Sequence, residues 1–335
     1  MQSVEIGVYA AISAALFFDF VNGFHDSANS IATVVGTRVL RPLYAVCIAA
    51  LANFAGPFIF GTAVAATVGK GIIQPSFSTV EVIFAGLIGA IIWDLITWYF
   101  GLPSSNSHAL IGGLIGSALL AGGTSALVFS GIEKTLTFIV VSPGMGFACA
   151  FGIGIIVMYV FRNQTASRVN KILVAFKFVL QSSSLLPMGL TMVKKTMGII
   201  TALLIAGGLL DSQSFIVPVE VIMASAFAIA LGTFFGGWRI VKTMVFRLTN
   251  LRPYQGFCAE TAGGVILTSM AWLGIPVSTT HAIAGGIMGI GATKRLSAVR
   301  WGIGKRIVYA WIITIPASAA VAALVSLIIL SLIHI

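Results

Sequence analysis

The first chemically distinctive segment is FFDFVNGFHDSANS, residues 17–30, which places carboxylates, amides and an imidazole in an apolar chain. Asn22, Asp26 and Asn29 are three or four residues apart, so a helix would gather their oxygens on one face. Oxygen ligands suit hard cations such as Na⁺, and a buried carboxylate can instead carry a proton. We therefore predict that these three residues bind a cation, with His25 as polar support. The alternative is a polar cluster that packs helices.

Two similar glycine-rich motifs are the second feature. GLPSSNSHALIGGLIG at 101–116 matches GIPVSTTHAIAGGIMG at 274–289, and every glycine, proline and histidine is shared. Gly and Pro break a helix, and the hydroxyls that follow lie where a new helix starts, a position whose free N–H groups favour an oxyanion. The residues predicted to cradle an anion are Ser104, Ser105, Asn106, Ser107, Ser278, Thr279 and Thr280. The alternative is that they are ordinary N-caps beside glycines that permit close helix packing.

Further ionisable residues lie in apolar segments, where charge is costly and tends to be functional. Asp94 and Glu260 are candidates of this kind, and Asp19 lies nearer the end of its run, where it is either functional or interfacial. His108 and His281 follow hydroxyl residues, a pairing that nucleophilic enzymes also use. No carboxylate is placed by sequence to orient either imidazole, so we predict polar support rather than an enzyme.

The elements that must position these residues are membrane-spanning helices. The 335-residue chain is 58% hydrophobic and only 8% charged, far outside the range of soluble domains. Apolar runs long enough to cross about 30 Å of hydrocarbon recur from end to end, which predicts an all-α, polytopic transmembrane helical bundle. Roughly ten crossings are predicted, at about 5–24, 43–67, 79–100, 108–130, 137–161, 172–210 (interrupted), 215–236, 256–273, 275–292 and 307–332.

The charge pattern predicts how the chain is oriented. The net charge is +10, and most basic residues fall in one set of loops between the spans. This asymmetry predicts a multi-pass protein of the inner or plasma membrane with the basic side cytoplasmic and both termini external. The same clustering argues against nucleic acid as a partner. The three cysteines lie singly without metal-ligand spacing, so no cofactor and no metal beyond a coupling cation is predicted.

The two glycine-rich motifs are about half the chain apart, and the predicted topology places one at a cytoplasmic turn and the other at an external turn. We therefore predict two inverted-topology repeats, residues 1–165 and 166–335, with broken or re-entrant helices. Secondary transporters have this architecture and bind substrate near the membrane midplane. Moving a dianion inward against about 100 mV costs about 4.6 kcal/mol, which coupling to at least two cations would remove.

Four segments, NGFHDSANSIATVVGTR, WDLITWYFGLPSSNSHALIGG, GFCAETAGG and GIPVSTTHAIAGG, together resemble the inorganic phosphate transporter (PiT) family over nearly the whole chain. The resemblance implies symport of inorganic phosphate with H⁺ or Na⁺, phosphate binding by the two hydroxyl-rich motifs, and a homodimer. It also adds Glu260 to the cation-coupling residues, in ion binding or gating. The form NGFHD is similar to compact bacterial members. Sulfate symport on the same scaffold and a passive anion channel remain alternatives.

The segment LLPMGLTMVKKTMGII, residues 185–200, departs from that resemblance. The family resemblance implies a stretch similar to S-H-G-T-N-D-G-Q-K before TMGII, but Thr191 and Met192 occupy the Asn-Asp positions. If the sequence is faithful, it indicates a transport-impaired paralogue. Alternatively, two compensating frameshifts enclose the stretch, because Pro187 to Lys194 read one nucleotide out of phase permits H-G-T-N-D-G-Q. The nucleotide sequence distinguishes these hypotheses.

Overall fold

The computed structural model describes residues 2–60, 71–165, 168–169, 172, 193–210, 216–249, 251–273 and 277–333. Within these ranges the protein is built from helices, joined by turns and one isolated antiparallel bridge between Ile73 and Leu127. The predicted all-α class is therefore confirmed. Thr191 and Met192 lie outside the described residues, as do residues 274–276 at the start of the second glycine-rich motif.

The helices of the described residues are numbered in chain order. They are α1 (Gln2–Gly36), α2 (Pro42–Phe60), α3 (Val80–Tyr99), α4 (Asn106–Gly122), α5 (Phe129–Val160), α6 (193–206), α7 (Val219–Phe235), α8 (Trp238–Lys242), α9 (Pro253–Trp272), α10 (Thr279–Ala292) and α11 (Trp301–Ile333). A π-helical turn, Thr243–Leu248, follows α8 directly.

Five of these helices, α1, α3, α4, α5 and α11, are long and apolar enough to cross a membrane. A sixth span results if α7 and α8, which meet at a 52° bend, cross together. This is fewer than the roughly ten predicted crossings, although 43–67 and 172–210 are only partly described. The predicted span at 275–292 differs for a physical reason: α10 has 14 residues, about 21 Å of helix, which is too short to cross alone.

The first helix is longer than its apolar run predicted. The predicted span ends at residue 24, whereas α1, which is 35 residues long, continues to Gly36 and contains the whole polar segment. At about 1.5 Å per residue its length is about 52 Å. The segment contains no proline, and the side chains of Asn22, Asp26 and Asn29 bond to other helices, so tertiary contacts satisfy these polar groups without breaking the helix.

Small residues set how closely the two short motif helices pack. Gly112 and Gly116 of α4 lie directly against backbone of α11, and Gly285 and Gly289 of α10 lie in the same way against backbone of α5. Glycine at these positions lets helix backbones approach without a side chain between them. The structure therefore shows that these glycines permit close helix packing, which was the alternative role given for them in the sequence analysis. This packing holds α4 against α11 and α10 against α5.

Candidate functional site

The carboxylate of Asp26 on α1 bonds to the beginning of α10. Its Oδ2 accepts a hydrogen bond from the Thr279 hydroxyl at 3.1 Å, and its Oδ1 accepts one from the Thr280 hydroxyl at 3.1 Å. One turn further along α1, the Asn29 amide donates to the same Thr280 oxygen at 2.9 Å. All four side chains are buried. The structure therefore joins two predicted cation residues to two predicted anion residues that lie about 250 positions away in sequence.

The same face of α1 also contacts the beginning of α4. Asn106, the first residue of α4, donates from its amide to the Oδ1 of Asn22 at 2.7 Å. Asn22 precedes Asp26 by four residues, so the two contacts lie one above the other on α1. The N-termini of α4 and α10 thus meet the same polar face, which brings together motifs that the sequence separates by half the chain.

The two motif helices begin in the same way. Ser105 caps α4 by accepting a bond from the His108 N–H at 3.4 Å, and Ser278 caps α10 by accepting one from the His281 N–H at 3.3 Å. Ser105 and Ser278 are therefore N-caps, as the alternative interpretation held. The neighbouring residues Asn106, Thr279 and Thr280 bond to side chains of other helices. N-capping therefore explains only part of the polar residues in each motif.

A buried lysine lies at the beginning of α4. Lys195 of α6 is 7% exposed, and its Nζ donates to the Ser107 hydroxyl. Our sequence reasoning did not place Lys195 in the site. The sequence did contain an indication of this role, because burying a lysine within an apolar segment costs free energy and such lysines are usually functional.

A cavity of about 340 Å³ adjoins this lysine. Its lining includes Ser107, His108, Lys134 and Lys195. Lys195 lies at the buried part of the lining, whereas Lys134 is exposed. Because liquid water takes about 30 Å³ per molecule, the cavity has room for a small oxyanion with several waters between two positive charges.

Ser104 lies in a separate polar cluster with Thr97 and His25. Its hydroxyl donates to the Thr97 Oγ1 at 2.8 Å, and the His25 Nε2 lies 3.2 Å from Thr97 and 3.3 Å from Ser104. The other ring nitrogen of His25 is 3.7 Å from the Oδ1 of Asp26. Ser104 is therefore connected to Asp26 through His25 and is not part of the cavity lining.

The remaining predicted carboxylates occupy different places. Glu260 of α9 accepts a hydrogen bond from Thr33, two turns beyond Asp26 and about 10 Å further along α1. It therefore lies apart from the Asp26 network. Asp94 of α3 is fully buried, and neither of its carboxylate oxygens has a hydrogen-bond partner in the described part of the chain. Its backbone carbonyl accepts a bond from Thr97 at 3.0 Å, next to the His25 cluster.

The two histidines of the motifs pack against each other. Their ring centroids are 4.8 Å apart in an edge-to-face arrangement, and His281 also lies 4.1 Å from the ring of Trp311. The Trp311 indole N–H donates to the Pro103 carbonyl at 2.8 Å, which holds the turn before α4. His281 therefore belongs to a packed core, whereas His108 reaches the cavity. Within the described ranges, no three His, Cys, Asp or Glu side chains cluster as metal ligands.

Comparison with known proteins gives the family. A sequence profile described as the phosphate transporter family matches residues 22–192 and 186–322. A probable low-affinity inorganic phosphate transporter of Rhizobium meliloti is 54% identical, with 93% of each chain covered, and one of Bacillus subtilis is 41% identical over 93% of this chain and 94% of that one. The two profile matches overlap at 186–192, within the segment that departs from the family resemblance.

A solved structure titled the sodium-dependent phosphate transporter has the same fold. Its TM-score is 0.84 at 23% identity, with 97% of this chain and 99% of that chain covered. The relatives are transporters rather than enzymes, which agrees with the prediction that the chain is not an enzyme. Its apolar helices and its relatives make the protein a multi-pass membrane protein. The chain belongs to the phosphate transporter family.

Proposed function

We propose that the protein imports inorganic phosphate by symport with a monovalent cation, Na⁺ or H⁺. One observation carries this proposal: Asp26 accepts hydrogen bonds from both Thr279 and Thr280 at the beginning of α10. The predicted cation residue and the predicted anion residues are therefore directly in contact. Asn22 extends the network to Asn106 at the beginning of α4.

This contact supplies a physical reason for coupling. A phosphate that takes the hydroxyls of Thr279 and Thr280 must replace Asp26 as their acceptor and would then lie beside its carboxylate. Two like unit charges about 4 Å apart repel by about 4 kcal/mol at an effective dielectric constant of about 20, and a dianion doubles this. A cation on the oxygens of Asp26 and Asn29 removes the repulsion, so the two ligands bind best together.

The anion itself would lie between the beginnings of α4 and α10. Both helix N-termini favour negative charge, and the hydroxyls of Ser107, Thr279 and Thr280 are suitable donors. Lys195 adds a full positive charge next to Ser107. The exposed Lys134 at the same cavity would raise the local concentration of phosphate before it binds.

Relatives support the choice of substrate. The proteins of Rhizobium meliloti and Bacillus subtilis are named as probable inorganic phosphate transporters, and the structural neighbour is named as sodium-dependent. Inorganic phosphate is therefore the first substrate to test and Na⁺ the first cation, with H⁺ as the second. Sulfate on the same scaffold is tested as a competitor.

The experiment is uptake of ³²P-phosphate into proteoliposomes that contain the full chain. We expect accumulation under an inward Na⁺ or proton gradient and only leak when both gradients are removed. Asp26→Asn should lose the gradient-driven component, whereas Glu220→Gln, an exposed acid on α7, should retain it. Accumulation of phosphate without either gradient would refute symport. Equilibration of phosphate without accumulation would show a channel. If sulfate competed with labelled phosphate at equal concentration, phosphate would not be the specific substrate.

The proposal includes two inverted halves, 1–165 and 166–335, with both termini external. The matching caps and glycine contacts of α4 and α10 support equivalent halves. A membrane-impermeant thiol reagent tests the orientation on cysteine variants of intact cells, with the three native cysteines replaced. A cysteine at Lys134 should react from outside, and one at Arg38 should react only after the membrane is opened. If the cysteine at Arg38 reacted from outside and the one at Lys134 did not, the proposed orientation in the membrane would be reversed.

A further inference from the structure

Asp19, one turn before Asn22 on α1, is used by neither the proposed phosphate site nor the cation network at Asp26. Its side chain is 0% exposed, and neither carboxylate oxygen has a hydrogen-bond partner among the described residues. Among the described residues, no Lys, Arg or His lies within ion-pair distance of the Asp19 carboxylate. An isolated buried carboxylate is unstable as an anion, so it needs a positively charged ligand.

Two hydroxyl groups face this carboxylate from neighbouring helices. They belong to Thr196 of α6 and Ser225 of α7, both of which are fully buried. A buried hydroxyl in a helix commonly bonds the carbonyl one turn back, as Thr201 of α6 does with Met197 at 2.7 Å. Thr196 and Ser225 make no such bond within the described ranges, and their oxygens are without a partner there.

The Thr196 and Ser225 hydroxyls lie close enough to the Asp19 carboxylate to interact with it, and no full hydrogen bond joins them among the described residues. Oxygen ligands of a hard cation such as Ca²⁺ lie about 2.3–2.6 Å from the ion, so oxygens of different residues around one ion are further apart than hydrogen-bonded oxygens. A proton on the carboxylate would instead use either hydroxyl as acceptor after a small rotation. We propose that Asp19, Thr196 and Ser225 form a second monovalent-cation site, occupied by Na⁺ or H⁺.

This site is distinct from the one at Asp26. Seven residues separate the two carboxylates, about 10.5 Å along α1, and the spacing keeps them on one helix face. Two cations, one bound at each carboxylate, would balance the charge of a phosphate dianion transported with them. Thr196 also follows Lys195, which bonds Ser107 at the beginning of α4, so cation binding at Asp19 would fix α6 where it meets the proposed phosphate site. This coupling role rests on the proposed function.

The first test counts bound cations in the purified full chain without phosphate. ²²Na⁺ binding and proton uptake, followed with a pH dye, are compared between the wild type, Asp19→Asn and the control Glu220→Gln. A loss of one bound Na⁺ in Asp19→Asn would identify a sodium site. A loss of one proton with unchanged Na⁺ would identify a proton site. Unchanged counts for both ions would overturn the proposal.

Two milder variants retain the carboxylate if Asp19→Asn does not fold. Thr196→Val and Ser225→Ala should each weaken binding of the ion about tenfold, because each removes one of the four oxygens. Thr201→Val is the matched control on α6, since its hydroxyl bonds only its own helix. Equal affinities in all three variants and the wild type would overturn the proposal.

The second test measures coupling in proteoliposomes at zero membrane potential. Each coupled cation multiplies the limiting phosphate accumulation by its own gradient, so at a tenfold gradient Asp19→Asn should lower that limit tenfold. An unchanged limit would refute a coupling role for Asp19. If the wild type carried no phosphate, the proposed function would fail while the cation count would still decide whether the site exists.

Discussion

Gly285 and Gly286 are adjacent on α10, yet the structure predicts opposite effects of alanine at the two positions. A methyl group at 285 would overlap the backbone of Pro143 on α5, whereas one at 286 would lie 3.3 Å from the Ala259 carbonyl and 3.7 Å from the Ala150 side chain. Backbone cannot turn aside as a side chain can, so Gly285→Ala must separate α5 from α10 by roughly 1 Å. Overpacking of this kind costs about 1–3 kcal/mol.

Helix propensity acts in the other direction at both positions, because alanine is favoured over glycine by about 1 kcal/mol. Gly286→Ala should therefore be neutral or slightly stabilising, and Gly285→Ala should be destabilising by up to about 2 kcal/mol after the gain in propensity. The two variants have the same composition and lie in the same helix, so each is the control for the other. Thermal unfolding of the purified protein in detergent measures the difference. Equal stabilities, or a less stable Gly286→Ala, would refute the packing argument.

Further predictions concern the site. Lys195→Gln should raise the half-saturating phosphate concentration about 10-fold or more, since a charge-assisted bond contributes about 1.5–3 kcal/mol, while Lys195→Arg should retain most affinity; equal affinities in all three proteins would remove Lys195 from the site. Thr280→Val should lower the thermal stability of the substrate-free protein by about 1.5–3 kcal/mol, because Asp26 loses a donor and Asn29 loses its acceptor; unchanged stability would contradict this network. For 185–195, frameshifts predict codons that encode Asn-Asp one nucleotide out of phase, and codons without that reading would refute them.

The sequence predicted which polar residues share a helix face better than it predicted where the helices begin and end. The spacing of Asn22, Asp26 and Asn29 correctly indicated one helix face, because helical periodicity is local information. That this face bonds Thr280 and Asn106 depends on contacts between distant segments, which only the family resemblance or the paired motifs could anticipate. Hydropathy failed at the end of α1, since it scores polar residues against lipid and takes no account of polar partners on other helices.

Glu260 and Lys195 show that residue type alone does not predict which buried charged residues lie close together. The family resemblance added Glu260 to the cation-coupling residues, and its contact with Thr33 places it about 10 Å further along α1 than Asp26. Lys195 was overlooked because it lies in a segment whose polar pattern is interrupted. Composition identifies residues that are costly to bury, whereas the fold decides which of them share a site.

The aligned hydroxyl residues Ser107 and Thr280 each bond a charged side chain. Thr280 bonds Asp26 of α1, and Ser107 bonds Lys195 of α6, so each motif receives a charged side chain from a helix of the other half.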